Sequence, residues 1–191
     1  VSSEYSLKII EMGKKEGINI TCEATPHHFS FSDNEILKNA YDTNFKMSPP
    51  LREISDVKAV REALKSGLID VIATDHAPHH TDENIVDFDT APFGIIGLQT
   101  LVPLTLKLVN EGVISLERMV ELTSTNAAKM LNLKDKLRLA EGMLADIAVI
   151  DPEIEYVYDE KINRSKSVNS PLFGKKLKGA ATTKIKSGKI V

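Results

Sequence analysis

The chain has 191 residues, 42% hydrophobic and 27% charged, with a formal net charge of −3. That length allows one ordinary domain with some excess and a real core. The mild acidity speaks against a nucleic-acid partner, and the lack of a run of ~18 apolar residues speaks against a membrane span.

The opening VSSEYSLKII has neither the basic n-region nor the apolar h-region of a leader, and it reads as the middle of a longer protein. Residues 4–16 place Tyr5, Ile9 and Met12 at helical spacing, and Gly17 suits the stop. INITCEA (18–24) alternates like a strand and ends at TPHH. Cys22, in register with Ile18 and Ile20, reads as a small buried hydrophobe rather than a nucleophile. As the one cysteine, it excludes an internal disulfide and fits a reducing cytoplasm. SDNE (32–35) has the capping-box pattern and predicts a short helix through Ala40. NFKMSPPLR (44–52) predicts extended chain, because a residue before proline avoids the α region. Residues 55–66 put Val57, Val60 and Leu64 on one helical face, closed by Gly67. LIDVIATD (68–75) is a mostly apolar strand, as expected of one buried on both faces.

The stretch 77–97 is acidic and aperiodic, with Pro78, Pro92, Gly94 and Gly97; a loop that long in a compact domain points to function. Helices are predicted at 98–110, 115–123 and 125–131, with Ser115 and Thr125 as N-caps. From EGMLADIAVIDP (141–152) the pattern turns to strands: ADIAVID, EYVYD, then TTKIKSGKIV with SG as a turn. A boundary near 136–141 therefore divides residues 1–138 from 139–191. Residues 152–191 hold nine Lys/Arg against four Asp/Glu, but no aromatic pattern accompanies them, so they read as a solvated face. Strand–helix alternation implies an α/β fold of parallel β/α units. Residues 1–135 offer only two convincing strands, whereas a closed barrel needs eight strands and ~250 residues. The chain thus reads as the C-terminal part of a larger β/α protein.

All five histidines fall within residues 27–80, in two knots: His27 and His28 in TPHH, and His76, His79 and His80 in TDHAPHH, which also carries Asp75. Both knots follow strands directly, and in a β/α barrel the C-terminal strand ends form the active site. A carboxylate with imidazoles suits divalent zinc, which lowers the pKa of water toward ~7 and so suits amide hydrolysis. No HxH or HExxH occurs here, so this chain cannot complete a three-ligand site. A loop cap beside a surface imidazole is the competing reading of Asp75 and His76. GIIGLQT (94–100) lacks the spacing of a nucleotide-binding glycine loop.

Nine segments together resemble the dihydroorotase family of cyclic amidohydrolases: VSSEYSLKII, ITCEATPHHF, YDTNFKMSPPLR, VIATDHAPHH, APFGIIGLQT, STNAAKMLNL, EGMLADIAVIDP, KSVNSPLFGKKLKG and KIKSGKIV. They run in order over essentially the whole chain, and TDHAPH is the most specific. The resemblance implies the C-terminal part of a (β/α)8 TIM-type amidohydrolase barrel, plus a segment of a small β-sandwich. It implies reversible interconversion of N-carbamoyl-L-aspartate and L-dihydroorotate in pyrimidine biosynthesis, with one or two zinc ions per complete site. By resemblance Asp75 is a zinc ligand and general acid/base, His79 binds the substrate carboxylate, and the backbone at Phe93 and Gly94 meets the dihydropyrimidine ring. The remaining ligands are expected upstream of Val1, in the missing N-terminal half of the same protein. His27, His28 and His76 are then candidates to orient ligands or pack beneath them. A homodimer and an association with aspartate transcarbamoylase occur among such relatives.

Two positions depart from the family pattern. Ser48 stands where the substrate-contacting Asn of KxNPPLR is common, a feature shared with hydantoinase-type relatives, and Gln99 replaces a frequent Glu. The alternatives are accordingly a hydantoinase or allantoinase, or a non-catalytic barrel paralogue serving as a structural subunit. The isolated chain is expected to be inactive.

Overall fold

The computed structural model describes residues 1–191. Helix α1 spans Glu4–Lys15; Ser3 caps it by accepting the Ser6 N–H, and Lys14 and Lys15 occupy its last turn. Gly17 follows at φ 78°, as a left-handed stop requires. The expected face is reversed: Leu7 and Ile10 are buried, while Tyr5, Ile9 and Met12 are exposed. The helix carries apolar side chains on two faces, and the one holding Leu7 and Ile10 joins the core.

Strand β1 (Glu23–Ala24) pairs in parallel with β2 (Val71–Ile72), Glu23 opposite Val71 and Ala24 opposite Ile72. Both strands are shorter than their apolar runs, because ladder bonds exist only where these two segments run together. At the entry to β2, Lys14 Nζ donates to both Asp70 carboxylate oxygens at 2.9 and 2.7 Å and to Leu68 O at 2.8 Å. Asp70 also accepts the Cys22 N–H at 2.8 Å, tying α1 to both strands. Cys22 itself is buried, and desolvation raises its thiol pKa.

Between the strands lie α2 (Pro26–Ser30), α3 (Asn34–Lys38) and α4 (Ile54–Ser66). The SDNE capping box does not form: α3 starts after Asp33 without a side-chain cap. In α4, Val57, Val60, Ala63 and Leu64 face inward, and Gly67 ends the helix at φ 89°. Val60 and Leu64 are fully buried, contributions of about 1.5–3 kcal/mol each.

After β2 come a short α5 (Thr81–Asn84) and α6 (Leu101–Asn110). Next, α7 (Leu116–Val120) passes through a π-turn (Glu121–Thr125) directly into α8 (Asn126–Met130). Ser115 caps α7 as expected, accepting the Arg118 N–H. Thr125 caps nothing: it is helical at φ −61°, inside one continuous run. The C-terminal sheet is antiparallel, in the order β3 (Ile147–Val157), β4 (Lys176–Lys186), β5 (Lys189–Ile190). ADIAVID and EYVYD form one strand with a register break between Asp151 and Glu155, around Pro152, which has no N–H to give the ladder. Ser187 and Gly188 turn the chain at φ 49° and 79°. Gly179, at φ 90° in β4, lies where any Cβ would strike Leu106 of α6. Tyr158, Leu172 and Leu177 belong to the same 20-residue core as Leu7, Val60 and Ile72, so this sheet packs on the α/β part. No helix is long and apolar enough to cross a membrane.

Candidate active site

Because β1 and β2 are parallel, the chain leaves both at the same end of the sheet. TPHH leaves β1 there and ATDHAPHH leaves β2. The histidines of the first knot are buried, His27 at 2% and His28 at 3% exposure. His28 has both ring nitrogens engaged, Nδ1 with Thr25 Oγ1 at 2.7 Å and Nε2 with Pro49 O at 2.8 Å. Since a carbonyl can only accept, Nε2 carries the proton and Nδ1 accepts from the threonine hydroxyl. This neutral ring holds the PPLR segment beside Ser48, and burial lowers its pKa against the raising effect of the Pro49 bond. His27 sits 4.4 Å from it, centroid to centroid. Its Nε2 is buried without a partner, and burial first, then the neighbouring imidazole, lowers its pKa to about 3.

Asp75 is exposed at the end of the β2 run, in the left-handed region at φ 48°. Asp tolerates that conformation better than most side chains, and such outliers concentrate at functional sites. Beyond it, His76 forms a parallel bridge with Ile95, and its Nδ1 accepts the Gly97 N–H at 3.0 Å. His76 therefore braces the 94–97 segment. His79 Nε2 donates to Phe93 O at 2.9 Å, leaving Nδ1 3.8 Å from Glu83. His80 caps α5: its Nδ1 accepts the Asp82 N–H, and Glu83 accepts the His80 N–H at 2.9 Å.

The two glycines of GIIG have a steric purpose. A Cβ on Gly94, at φ 102°, would lie 2.6 Å from the Ala77 Cβ, and one on Gly97 would lie 2.6 Å from Thr74 O. Only glycine lets the 94–97 segment lie this close against the Asp75 loop. Below it, Ile95 packs with Phe45, Met47 and Leu51, which brings the KMSPPLR segment alongside. Ser48 and Phe93 are exposed on this surface. Phe93 is thus held against His79 through the bond from the imidazole to its carbonyl, and Gly94 follows it in the chain. Ser48 is positioned by the Pro49 bond to His28.

Three residues without a role in the sequence reading hold these pieces. Lys46 Nζ donates to Asp89 O and Ala91 O at 2.8 and 2.7 Å and lies 4.6 Å from the Phe93 ring centroid, while Lys46 O accepts the Gly94 N–H. Gln99 donates to Ile162 O at 3.0 Å and accepts the Arg164 N–H, a two-way contact that Glu could not make. Asn169, 2% exposed and distant in sequence, contacts both site loops. Its only signal in the sequence was the resemblance of the KSVNSPLFGKKLKG segment.

Amidohydrolase-type chemistry implies a metal, and the donors present fit one only in part. Asp75 offers an exposed carboxylate, but His28 has no free nitrogen and no group of three or more His, Cys, Asp or Glu is arranged to hold an ion. The chain suits a metal centre as the supplier of one oxygen ligand.

A family model described as the amidohydrolase family matches residues 10–191. The dihydroorotase of Geobacter metallireducens is 49% identical over the whole chain, which covers 44% of that protein. That of Endomicrobium trichonymphae is 45% identical, again over all of this chain and 45% of its own length. Among solved structures, the L-hydantoinase (dihydropyrimidinase) of Arthrobacter aurescens superposes with a TM-score of 0.92 at 29% identity, over 100% of this chain and 43% of that one. A D-hydantoinase gives 0.88 at 30% identity, with the same coverage. The chain thus spans less than half the length of the relatives it matches.

Proposed function

The chain belongs to the amidohydrolase family, with the α/β fold of part of a (β/α)8 barrel followed by a three-stranded antiparallel sheet, and on that premise we propose that the complete protein is a dihydroorotase. It interconverts L-dihydroorotate and N-carbamoyl-L-aspartate in pyrimidine biosynthesis. We divide the chain at residue 138, where helices give way to the antiparallel sheet. The observation that carries the reading is the 49% identity to a dihydroorotase over all 191 residues.

In this proposal Asp75 has two tasks. It would hold zinc through its carboxylate, and the other ligands would come from residues outside this chain. When bound, zinc supplies Lewis acidity at the ring amide carbonyl and makes water more acidic. Asp75 takes the proton of the attacking water and delivers it to the departing ring nitrogen; in the cyclisation direction it returns that proton to the leaving water. Its exposed position at a strand end leaves both substrates access to it. His79, its Nε2–H fixed on Phe93 O, presents Nδ1 to the substrate carboxylate, for which Nδ1 must carry a proton. The backbone of Phe93 and Gly94 lines the ring, and Ser48 offers a hydroxyl where a longer amide is common.

A second reading, hydantoinase-type hydrolysis, is favoured by Ser48 and by the 0.92 TM-score to an L-hydantoinase. Turnover of dihydroorotate, hydantoin and allantoin by the full-length protein separates the two: dihydroorotate is expected to be the preferred substrate by kcat/KM. Asp75→Ala in that protein is expected to lower kcat by roughly 10³-fold or more. Preference for hydantoin would overturn the substrate assignment, and wild-type turnover in the variant would overturn the role of Asp75.

A further inference from the structure

We propose that Asn169 is a positioning residue of this site, a buried clamp that sets the Asp75–His79 loop against the Phe93–Gly97 loop; the proposal rests on the dihydroorotase reading above. Its side chain makes three hydrogen bonds and its backbone a fourth. Nδ2 donates to Ala77 O at 2.8 Å and to Gly94 O at 3.1 Å. Oδ1 accepts the His79 N–H at 3.4 Å, and Asn169 O accepts the Ile96 N–H at 3.1 Å. Two carbonyls on one end and an N–H on the other fix the orientation of the amide.

Each of these partners sits on a segment that the proposed chemistry uses. Ala77 and His79 follow Asp75 on one loop, and Gly94 and Ile96 follow Phe93 on the other. Across the same gap, His79 Nε2 reaches Phe93 O, Ala77 N–H reaches Ile95 O, and His76 takes the Gly97 N–H. Asn169 closes this set from a third segment, 90 residues beyond His79 in sequence. At 2% exposure it has little water to compete for its bonds, and it acts on the substrate-holding groups from behind, through their backbone. Of the uncharged side chains, only an amide can supply two donors and one acceptor from one planar group. Asn169→Asp keeps the shape but turns two donors into acceptors facing two carbonyls, so both loops must move apart.

The test uses the full-length protein and dihydroorotate. Asn169→Asp is expected to raise KM at least about tenfold while kcat falls less, because the substrate-holding groups shift more than Asp75. His79→Ala with Asn169→Asp is expected to be non-additive, with KM no worse than in His79→Ala alone. Ser170→Ala, a buried neighbour whose hydroxyl caps only the Leu172 N–H at 3.3 Å, is expected to leave KM unchanged. Asn169→Ser serves as a second, smaller variant. An unchanged KM in Asn169→Asp, full additivity with His79→Ala, an equal effect of Ser170→Ala, or failure of both Asn169 variants to fold each overturns the positioning role. Absence of dihydroorotate turnover in the wild-type protein overturns the reading beneath it instead.

Discussion

His27 and His28 look alike in sequence but differ in what they do. His28 spends both nitrogens on Thr25 and Pro49, so it acts as a neutral strut beneath Ser48. His27 keeps a buried Nε2 without a partner, and its pKa falls from 6.5 to about 3, chiefly through burial. The folded state thus binds fewer protons than the unfolded chain between about pH 6.5 and pH 3. Its contribution is fully present above pH 6.5 and is lost as pH falls toward 3. Each fully titrating group gives a slope of at most ~1.4 kcal/mol per pH unit. His28, lowered in the same direction, adds to it. His27→Leu is expected to flatten the fall in urea-denaturation stability between pH 6.5 and 4 and to remove a buried unsatisfied nitrogen. Identical slopes in wild type and variant would refute the buried neutral imidazole. At this scale the sequence located the histidines but not their partners: Thr25 lies three residues from His28, whereas Pro49 comes from another segment.

Among elements, the close approach of the 94–97 segment to the loop after β2 is the most exacting contact. Gly97 has no positive φ to explain it; space alone demands glycine, since a Cβ would meet Thr74 O at 2.6 Å. Gly97→Ala must push Thr74 away, and with it Asp75 one residue on. The expected result in the full-length protein is a stability loss of about 1–3 kcal/mol with kcat/KM for dihydroorotate reduced at least tenfold; stability loss with unchanged kcat/KM would show that the loop relaxes without moving Asp75. Helix α4 was legible from Val57, Val60, Leu64 and Gly67, because its apolar residues mark one face and its stop is a glycine. Helix α1 was legible as a helix but not by face, since Tyr5, Ile9 and Met12 recur as regularly as the buried Leu7 and Ile10. The capping box appeared at His80 and Glu83, where histidine replaces the usual hydroxyl, and not at Ser32 and Glu35. A local pattern offers a cap; tertiary packing decides whether the backbone takes it.

For the whole molecule, the α/β class and the meeting of two loops at one sheet end followed from strand–helix order and from histidines placed after strands. The tie through Asn169 did not, because a single asparagine between loops has no periodicity and its partners lie up to 92 residues away. The same scale sets what these 191 residues can do unaided. Strands β1 and β2 pair only with each other, so the outer edge of each is open. One exposed carboxylate, Asp75, is available to a metal, and His28 is committed elsewhere. A catalytic zinc generally has three protein ligands, and a single carboxylate on an open surface does not hold it. The purified 191-residue chain is therefore expected to retain less than about 0.1 equivalent of zinc after dialysis and to show no dihydroorotate turnover, whereas the full-length protein is expected to retain zinc and to turn dihydroorotate over. Metal analysis by emission spectrometry alongside an activity assay checks this directly. Stoichiometric zinc in the isolated chain, lost in Asp75→Ala, would mean that its own histidines rearrange to ligate and that the site is more complete than one carboxylate allows.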